Sequence, residues 1–183
     1  MNYFIQSLTY FRILIAPVIF ILITLFDYYG WALILFLLAS VSDYWDGFLA
    51  RKYKLESIIG SILDPIADKI LVIFLILALS IELSSVLIAF LGGVMLARDF
   101  WISALRDLNA RNGISNATNV TLMAKTKTSI QFIAITGFLA GLYFDKALII
   151  FLSDFFLVLA MLLSLQTGFQ YSIQSLKLIK ISD

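Results

Sequence analysis

Six apolar stretches, each close to the length of a membrane span, constrain this chain more than any other feature. They run from about Leu8 to Phe26, Trp31 to Phe48, Ile58 to Ile81, Val86 to Leu108, Thr126 to Tyr143 and Ala147 to Leu165. A helix needs about 20 apolar residues to cross about 30 Å of hydrocarbon. Of the 183 residues, 62 % are hydrophobic and 14 % charged, so a soluble domain of this size could not hide the apolar surface. The mean hydropathy of +1.01 agrees. The expected fold is all-α: a polytopic membrane protein with six transmembrane helices, forming one domain over residues 1–183.

Short and long connections alternate. Residues 27–30 (DYYG), 82–85 (ELSS) and 143–146 (YFDK) read as tight turns, and residues 49–57 and 109–125 as wider polar loops, which gives three helical hairpins. Arg12, Arg51, Lys52, Lys54, Arg106, Arg111, Lys125, Lys127, Lys177 and Lys180 fall at the side of the long loops. Lys69 and Arg98 lie deeper toward that side, and only Lys146 falls opposite. Positive charge marks the cytoplasmic side. Both termini and the long loops are therefore expected in the cytoplasm, in a multi-pass protein of the cell inner membrane. Tyr28, Tyr29, Trp31, Tyr143 and Phe144 read as an aromatic belt on the far side. The first stretch has no small-residue cleavage site at its end and reads as a retained span. In residues 166–183, Gln166, Gln170, Gln174, Lys177 and Lys180 alternate with Phe169, Ile173, Leu176 and Ile179. Two arrangements stay open there, an extension of the last helix or a helix on the membrane surface.

The chemistry lies around the first long loop, in the ordered run Asp43, Asp46, Gly47, Ala50, Arg51, Gly60, Asp64 and Asp68. Carboxylates beside or inside a bilayer are costly unless they bind something. Asp43 and Asp46 are three apart and Asp64 and Asp68 four apart, so each pair shares one helix face. Two such helices side by side would form a cage of oxygen ligands, which hard divalent cations, above all Mg²⁺, prefer. Gly47, Ala50 and Gly60 let another helix or a flat ligand come close. Pro65 removes a helical hydrogen bond between the two later acids, where a bend is expected. One aspartate at a helix start could merely favour the dipole. Asp68 resists that reading, because it lies ten residues into an apolar stretch. The chain has no Cys and no His, which excludes disulfides, thiolate chemistry, His acid–base catalysis and His-ligated zinc. A net charge of +1 gives no reason to expect nucleic acid.

The spacing D-x2-DG-x2-AR-x8-G-x3-D-x3-D, from Asp43 to Asp68, matches in full the motif of the CDP-alcohol phosphatidyltransferases, which this chain resembles. Members of that family transfer the phosphatidyl group of a CDP-activated lipid to an alcohol and release CMP. The resemblance implies that Asp43, Asp46 and Asp64 are metal ligands at the pyrophosphate, with Asp68 completing the site and acting as the base that takes the acceptor's hydroxyl proton. The expected cofactor is Mg²⁺ or Mn²⁺, as two ions. Gly47, Ala50 and Gly60 would line the cytidine and ribose site beside Asp46, and Arg51 would meet a phosphate.

A second cluster concerns the acceptor. Arg98 and Asp99 open the run ARDFWISALRD, Arg106 follows eight residues on at roughly the same face, and Lys125 and Lys127 lead the fifth stretch in AKTKTS. Arg and Lys together can hold a dianionic phosphate. Lys125 and Lys127 could also be simple positive-side anchors, and Arg111 reads as solvent-facing. An Arg98–Asp99 pair is expected to be weak, since adjacent helical side chains diverge. The segments LTYFR at 8–12, LDPIADK at 63–69, ARDFWISALRD at 97–107 and AKTKT at 124–128 are most similar to the branch of the family whose acceptor is sn-glycerol 3-phosphate and whose donor is CDP-diacylglycerol. That resemblance spans about residues 7–142. It implies that Thr9 and Arg12 frame the nucleotide side and that Arg98, Arg106, Lys125 and Lys127 meet the acceptor phosphate. Two departures stand out: Ile5-Gln6 where the family often has Pro-Asn, and Asp99 where Glu is usual.

The rival reading is a sister transferase acting on serine, inositol phosphate or phosphatidylglycerol, and a cluster of cations favours a phosphorylated acceptor. A cation transporter fits poorly, because the acids lie toward one membrane face and carry glycines and Arg51 with them. A scaffold without activity leaves the acids unexplained. Gly137 and Gly141, and the pair Gly92–Gly93, make small-residue faces that read as packing within one subunit. The family resemblance implies a homodimer among membrane lipids.

Overall fold

The computed structural model describes the backbone of residues 2–53, 58–111 and 122–182, and the side chains of residues 9–42, 63, 66–111 and 126–178. Each expected apolar stretch is a helix: α1 (Asn2–Thr24), α2 (Tyr29–Tyr53), α3 (Ile58–Glu82), α4 (Val86–Arg111), α5 (Leu122–Phe144) and α6 (Ala147–Ser182). The helices outrun the hydropathy. α2 continues through Tyr53, so residues 49–53, expected in a loop, are helical, and α4 continues to Arg111. Leu49, Ala50, Arg51 and Lys52 are all good helix formers, and a helix does not stop where its surroundings turn from lipid to water. α6 is one helix of 36 residues, about 54 Å long at about 1.5 Å per residue. This settles the alternation after Leu165 as an extension of the last helix. Ser164, Thr167, Gly168, Tyr171 and Ser175 carry a buried stripe along it at helical spacing.

The three short connections are tight turns, as the sequence suggests. Each places a non-glycine residue in the left-handed region: Asp27 (φ 55°), Ser84 (φ 47°) and Asp145 (φ 51°). The last two close the helix ends with paired bonds. Ser84 N–H donates to Ile81 O (3.1 Å) and Ser85 N–H to Ser80 O (2.9 Å); Asp145 N–H donates to Leu142 O (3.4 Å) and Lys146 N–H to Gly141 O (2.9 Å). These bonds satisfy carbonyls that a helix end otherwise leaves open.

Contacts divide the chain into two compact units. The first comprises Met1–Ala89 and Ile135–Ile150, the second Phe90–Ala134 and Phe151–Asp183. In the first unit α1 packs against both α2 and α3. Ala16, Ile19 and Ile23 on α1, Ala32, Phe36 and Ala39 on α2, and Ala67, Leu71, Leu75 and Leu79 on α3 are all buried. Their spacings of three and four put each set on one helix face, and the alanines let the backbones approach. Phe20 meets Phe74 edge to face at 6.0 Å. All three tight turns belong to this unit. The Tyr29 hydroxyl donates to Glu82, joining the first turn to the second. The Tyr143 ring lies on Gly30, joining the third turn to the first.

The outer surface is apolar. Leu14 (69 % exposed), Val86 (82 %), Leu148 (69 %) and Phe169 (69 %) are among many large hydrophobic side chains open to the surroundings. Such a surface is stable against lipid and not against water. Among the described residues, Val86–Arg111 and Ala147–Leu178 are long and apolar enough to cross a membrane, and Thr9–Thr24 and Tyr29–Ser42 are shorter apolar helices.

Candidate active site

The acidic run is carried by two helices. α2 holds Asp43, Asp46, Gly47, Ala50 and Arg51, and α3 holds Gly60, Asp64 and Asp68. The longer α2 matters here. Because it does not end at Phe48, Asp43, Asp46, Gly47 and Ala50 follow one another along one helix face, at separations of three, four and seven residues from Asp43. Gly60, Asp64 and Asp68 do the same on α3 at steps of four. The side chains of Asp43, Asp46, Gly47, Ala50, Arg51, Gly60, Asp64 and Lys125 lie outside the described residues. Among those that are described, no three potential metal-ligating side chains cluster. Asp68 is described. It is half-buried, one residue past the fully buried Ala67, at the edge of the packed seam of α3 rather than on its outer face. The donor set fits a hard divalent cation, since every candidate ligand is a carboxylate and the chain offers no imidazole or thiolate.

On α1, Thr9 (1 % exposed) and Arg12 (0 %) are enclosed by protein, and Arg12 is among the largest fully buried side chains. A buried guanidinium is rare unless its charge is used or matched.

The second unit holds the cationic cluster. Arg98 on α4 is fixed on several sides. Its Nε donates to Ser164 O on α6 (2.8 Å), one terminal nitrogen to Thr167 Oγ1 (2.7 Å), and the other to Asp99 Oδ1 (3.0 Å). The Thr167 hydroxyl lies 2.8 Å from Leu163 O, to which it donates. The guanidinium carbon stands 6.0 Å from the centre of the Tyr171 ring. Gly168 lies directly against the Arg98 side chain, and a Cβ there would come within 3.0 Å of Cγ and Nε. Lys127 on α5 is buried, and its ammonium donates to both oxygens of Asp99, each at 3.0 Å. One carboxylate therefore serves two cations from two helices.

This corrects the expectation of a weak Arg98–Asp99 pair. The long arginine arm spans the divergence of adjacent positions, and contacts from α5 and α6 hold both groups in place. Arg106 is exposed while Arg98 is largely buried, so the common face expected for them does not give them a common environment. Arg111 faces solvent as expected and pairs with Asp107 at 2.8 Å, with its side chain 75 % exposed. Sequence reasoning missed Ser164, Thr167, Gly168 and Tyr171. The available signal was their spacing of three and four through a segment otherwise rich in Gln and Leu. Further contacts tie α4 to α6: Trp101 Nε1 donates to Ser172 Oγ (2.9 Å), and Ser175 Oγ to Asn109 Oδ1 (2.6 Å). Polar ties of this kind hold helices together in lipid, where apolar contact alone favours neither partner nor solvent.

The acid-bearing helix pair, the apolar all-α fold and the cationic cluster define a class that comparison identifies. Residues 6–167 match the CDP-alcohol phosphatidyltransferase family, and the chain belongs to it. Within that family it is similar to proteins described as CDP-diacylglycerol–glycerol-3-phosphate 3-phosphatidyltransferase. That of Wigglesworthia glossinidia brevipalpis is 38 % identical over 135 residues, covering 72 % of this chain and 74 % of the relative. That of Sodalis glossinidius is 35 % identical over 136 residues, with the same coverage, and that of Escherichia coli K12 is 35 % identical over 135 residues, again covering 72 % and 74 %.

Proposed function

We infer that this chain transfers the phosphatidyl group of CDP-diacylglycerol to sn-glycerol 3-phosphate, giving phosphatidylglycerol phosphate and CMP. The observation that carries this is its likeness, over about three quarters of each partner, to relatives described by that one activity. Here the chain works as a single multi-pass membrane domain with six spans. The acids open to the cytoplasm, since the basic residues gather at the α2–α3 and α4–α5 connections and at the chain ends. A homodimer is part of the same reading.

Asp43, Asp46, Asp64 and Asp68 are the residues that would hold Mg²⁺ or Mn²⁺, as two ions. When bound, the metal neutralises the pyrophosphate oxygens and eases the departure of CMP. The chain supplies the rest. Gly47, Ala50 and Gly60 leave room for cytidine and ribose along one face of each helix, Arg51 meets a phosphate, and the enclosed Thr9 and Arg12 stand behind the nucleotide end. Arg98, Arg106, Lys125 and Lys127 bind the acceptor's phosphate. Asp68 takes the proton from the acceptor hydroxyl, whose oxygen bonds to the phosphorus bearing diacylglycerol. The bond from that phosphorus to CMP breaks, and CMP carries the leaving electron pair. No covalent enzyme intermediate is needed.

The test offers purified protein CDP-diacylglycerol with sn-glycerol 3-phosphate, serine, inositol phosphate and phosphatidylglycerol in turn, measures CMP release, and identifies the lipid formed. Phosphatidylglycerol phosphate from the first acceptor supports the reading. A different lipid product would move the chain to a sister branch, and CMP release with no acceptor at all would refute transfer.

A further inference from the structure

We infer that Asp99 and Thr167 are positioning residues of the acceptor site, and that they set the geometry in which Arg98 and Lys127 receive a phosphate. The inference rests on the reading above that these two cations bind the acceptor.

The guanidinium of Arg98 has five N–H donors. Ser164 O takes Nε–H, Asp99 takes one hydrogen from one terminal nitrogen, and Thr167 takes one from the other. Among the described contacts, each terminal nitrogen keeps one N–H. Donors left on a guanidinium can meet the oxygens of one phosphate. Thr167 acts as an acceptor toward Arg98 because its own hydrogen goes to a backbone carbonyl, with Leu163 O at 2.8 Å and Ser164 O at 3.0 Å. Gly168 leaves no lateral space, since a methyl there would already press on Arg98. The guanidinium plane is thus fixed before any ligand arrives. Lys127 spends two of its three N–H donors on the two oxygens of Asp99 and, among the described contacts, keeps one. Asp99 so couples the two cations: one carboxylate sets the position of a fork on α4 and a point charge on α5. It also offsets one of the two positive charges while the phosphate site is empty, which a buried lysine requires. A flexible lysine and arginine would lose rotamer freedom on binding, and cations held in advance do not.

The test is steady-state kinetics in wild type, Asp99→Asn, Thr167→Val, Thr167→Ser, Arg98→Gln and Lys127→Gln. Asp99→Asn and Thr167→Val are expected to raise the KM for sn-glycerol 3-phosphate about ten-fold or more, with the KM for CDP-diacylglycerol and kcat at saturation changed by no more than about three-fold. Thr167→Ser keeps the hydroxyl and is expected to stay within about two-fold of wild type. If Asp99→Asn fails to fold, the Thr167 pair carries the test alone. An acceptor KM unchanged in Asp99→Asn and Thr167→Val, while Arg98→Gln raises it, overturns the positioning role and leaves the acceptor site standing. An acceptor KM unchanged in Arg98→Gln and Lys127→Gln as well overturns both. Equal damage to both KM values, or Thr167→Ser behaving like Thr167→Val, marks a structural role and also overturns the inference.

Discussion

Gly141 and Ile150 meet across the last hairpin with no room for a methyl group between them. A Cβ at position 141 would lie 2.6 Å from Ile150 Cγ1 and 3.2 Å from the Ile150 backbone nitrogen. The side chain could turn aside, but the backbone of α6 could not without opening the turn. Gly141→Ala is expected to destabilise the protein by about 1–2 kcal/mol, overpacking outweighing the better helix propensity of alanine. Gly93→Ala is the control. No atom lies within 4 Å of the methyl it would add. It is expected to be neutral or stabilising by up to about 1 kcal/mol. Thermal unfolding in one detergent compares the two, and equal midpoints would contradict the contact.

Ser84 holds a left-handed backbone (φ 47°) where glycine is favoured. Removing the Cβ strain is worth about 1–2 kcal/mol, less about 0.5–1 for the greater freedom of glycine when unfolded. Ser84→Gly is therefore expected to raise stability by roughly 0.5–1 kcal/mol, and Ser84→Val to lower it, since a branched side chain fits that region worst. The same unfolding measurement decides both signs.

Metal removal should stop catalysis. EDTA is expected to abolish CMP release, Mg²⁺ or Mn²⁺ to restore it, and Ca²⁺ to serve poorly because its looser coordination misplaces the phosphate. Asp43→Asn, Asp46→Asn and Asp64→Asn are expected to lose most turnover and to shift the metal concentration required. Asp68→Asn is expected to bind CDP-diacylglycerol still, while turnover falls by about 10²–10⁴, the scale of a lost general base. Near-normal turnover in Asp68→Asn would remove it from that role.

Plain glycerol should be a very poor acceptor, because it offers no phosphate to Arg98 and Lys127. Neutralising Lys125 is expected to raise the acceptor KM several-fold to a few hundred-fold and to move the KM for CDP-diacylglycerol much less. Acceptor kinetics with both alcohols check this. Equal use of glycerol would contradict the phosphate assignment.

What the sequence disclosed follows the range of the interactions concerned. The helices and the turns at DYYG, ELSS and YFDK are local, set by apolar length and by the residues that interrupt it. The face shared by Asp64 and Asp68 is equally local. The ends of α2 and α6 were harder, because hydropathy reports where lipid stops and not where a helix stops; Arg51 is helical although it leaves the apolar stretch. The Arg98 site was legible only in part. Its charges showed, Lys127 among them, but their pairing did not: Lys127 lies 28 residues from Asp99, Thr167 lies 69 from Arg98, and one acceptor is the backbone carbonyl of Ser164, which has no residue-type signal at all.

α6 carries Leu148, Phe155, Leu162, Phe169 and Leu176 at steps of seven residues, all of them more than half exposed. Each step advances about 10.5 Å along the axis while turning the helix by only about 20°. The five positions are the graduations of a ruler. About 30 Å of hydrocarbon takes up about 20 residues, so a helix of 36 must leave several turns in headgroups or water. Spin labels placed one at a time along this line would read depth directly. The point where oxygen accessibility gives way to that of a water-soluble reagent would mark the bilayer edge and set the zero of depth for every residue along the helix.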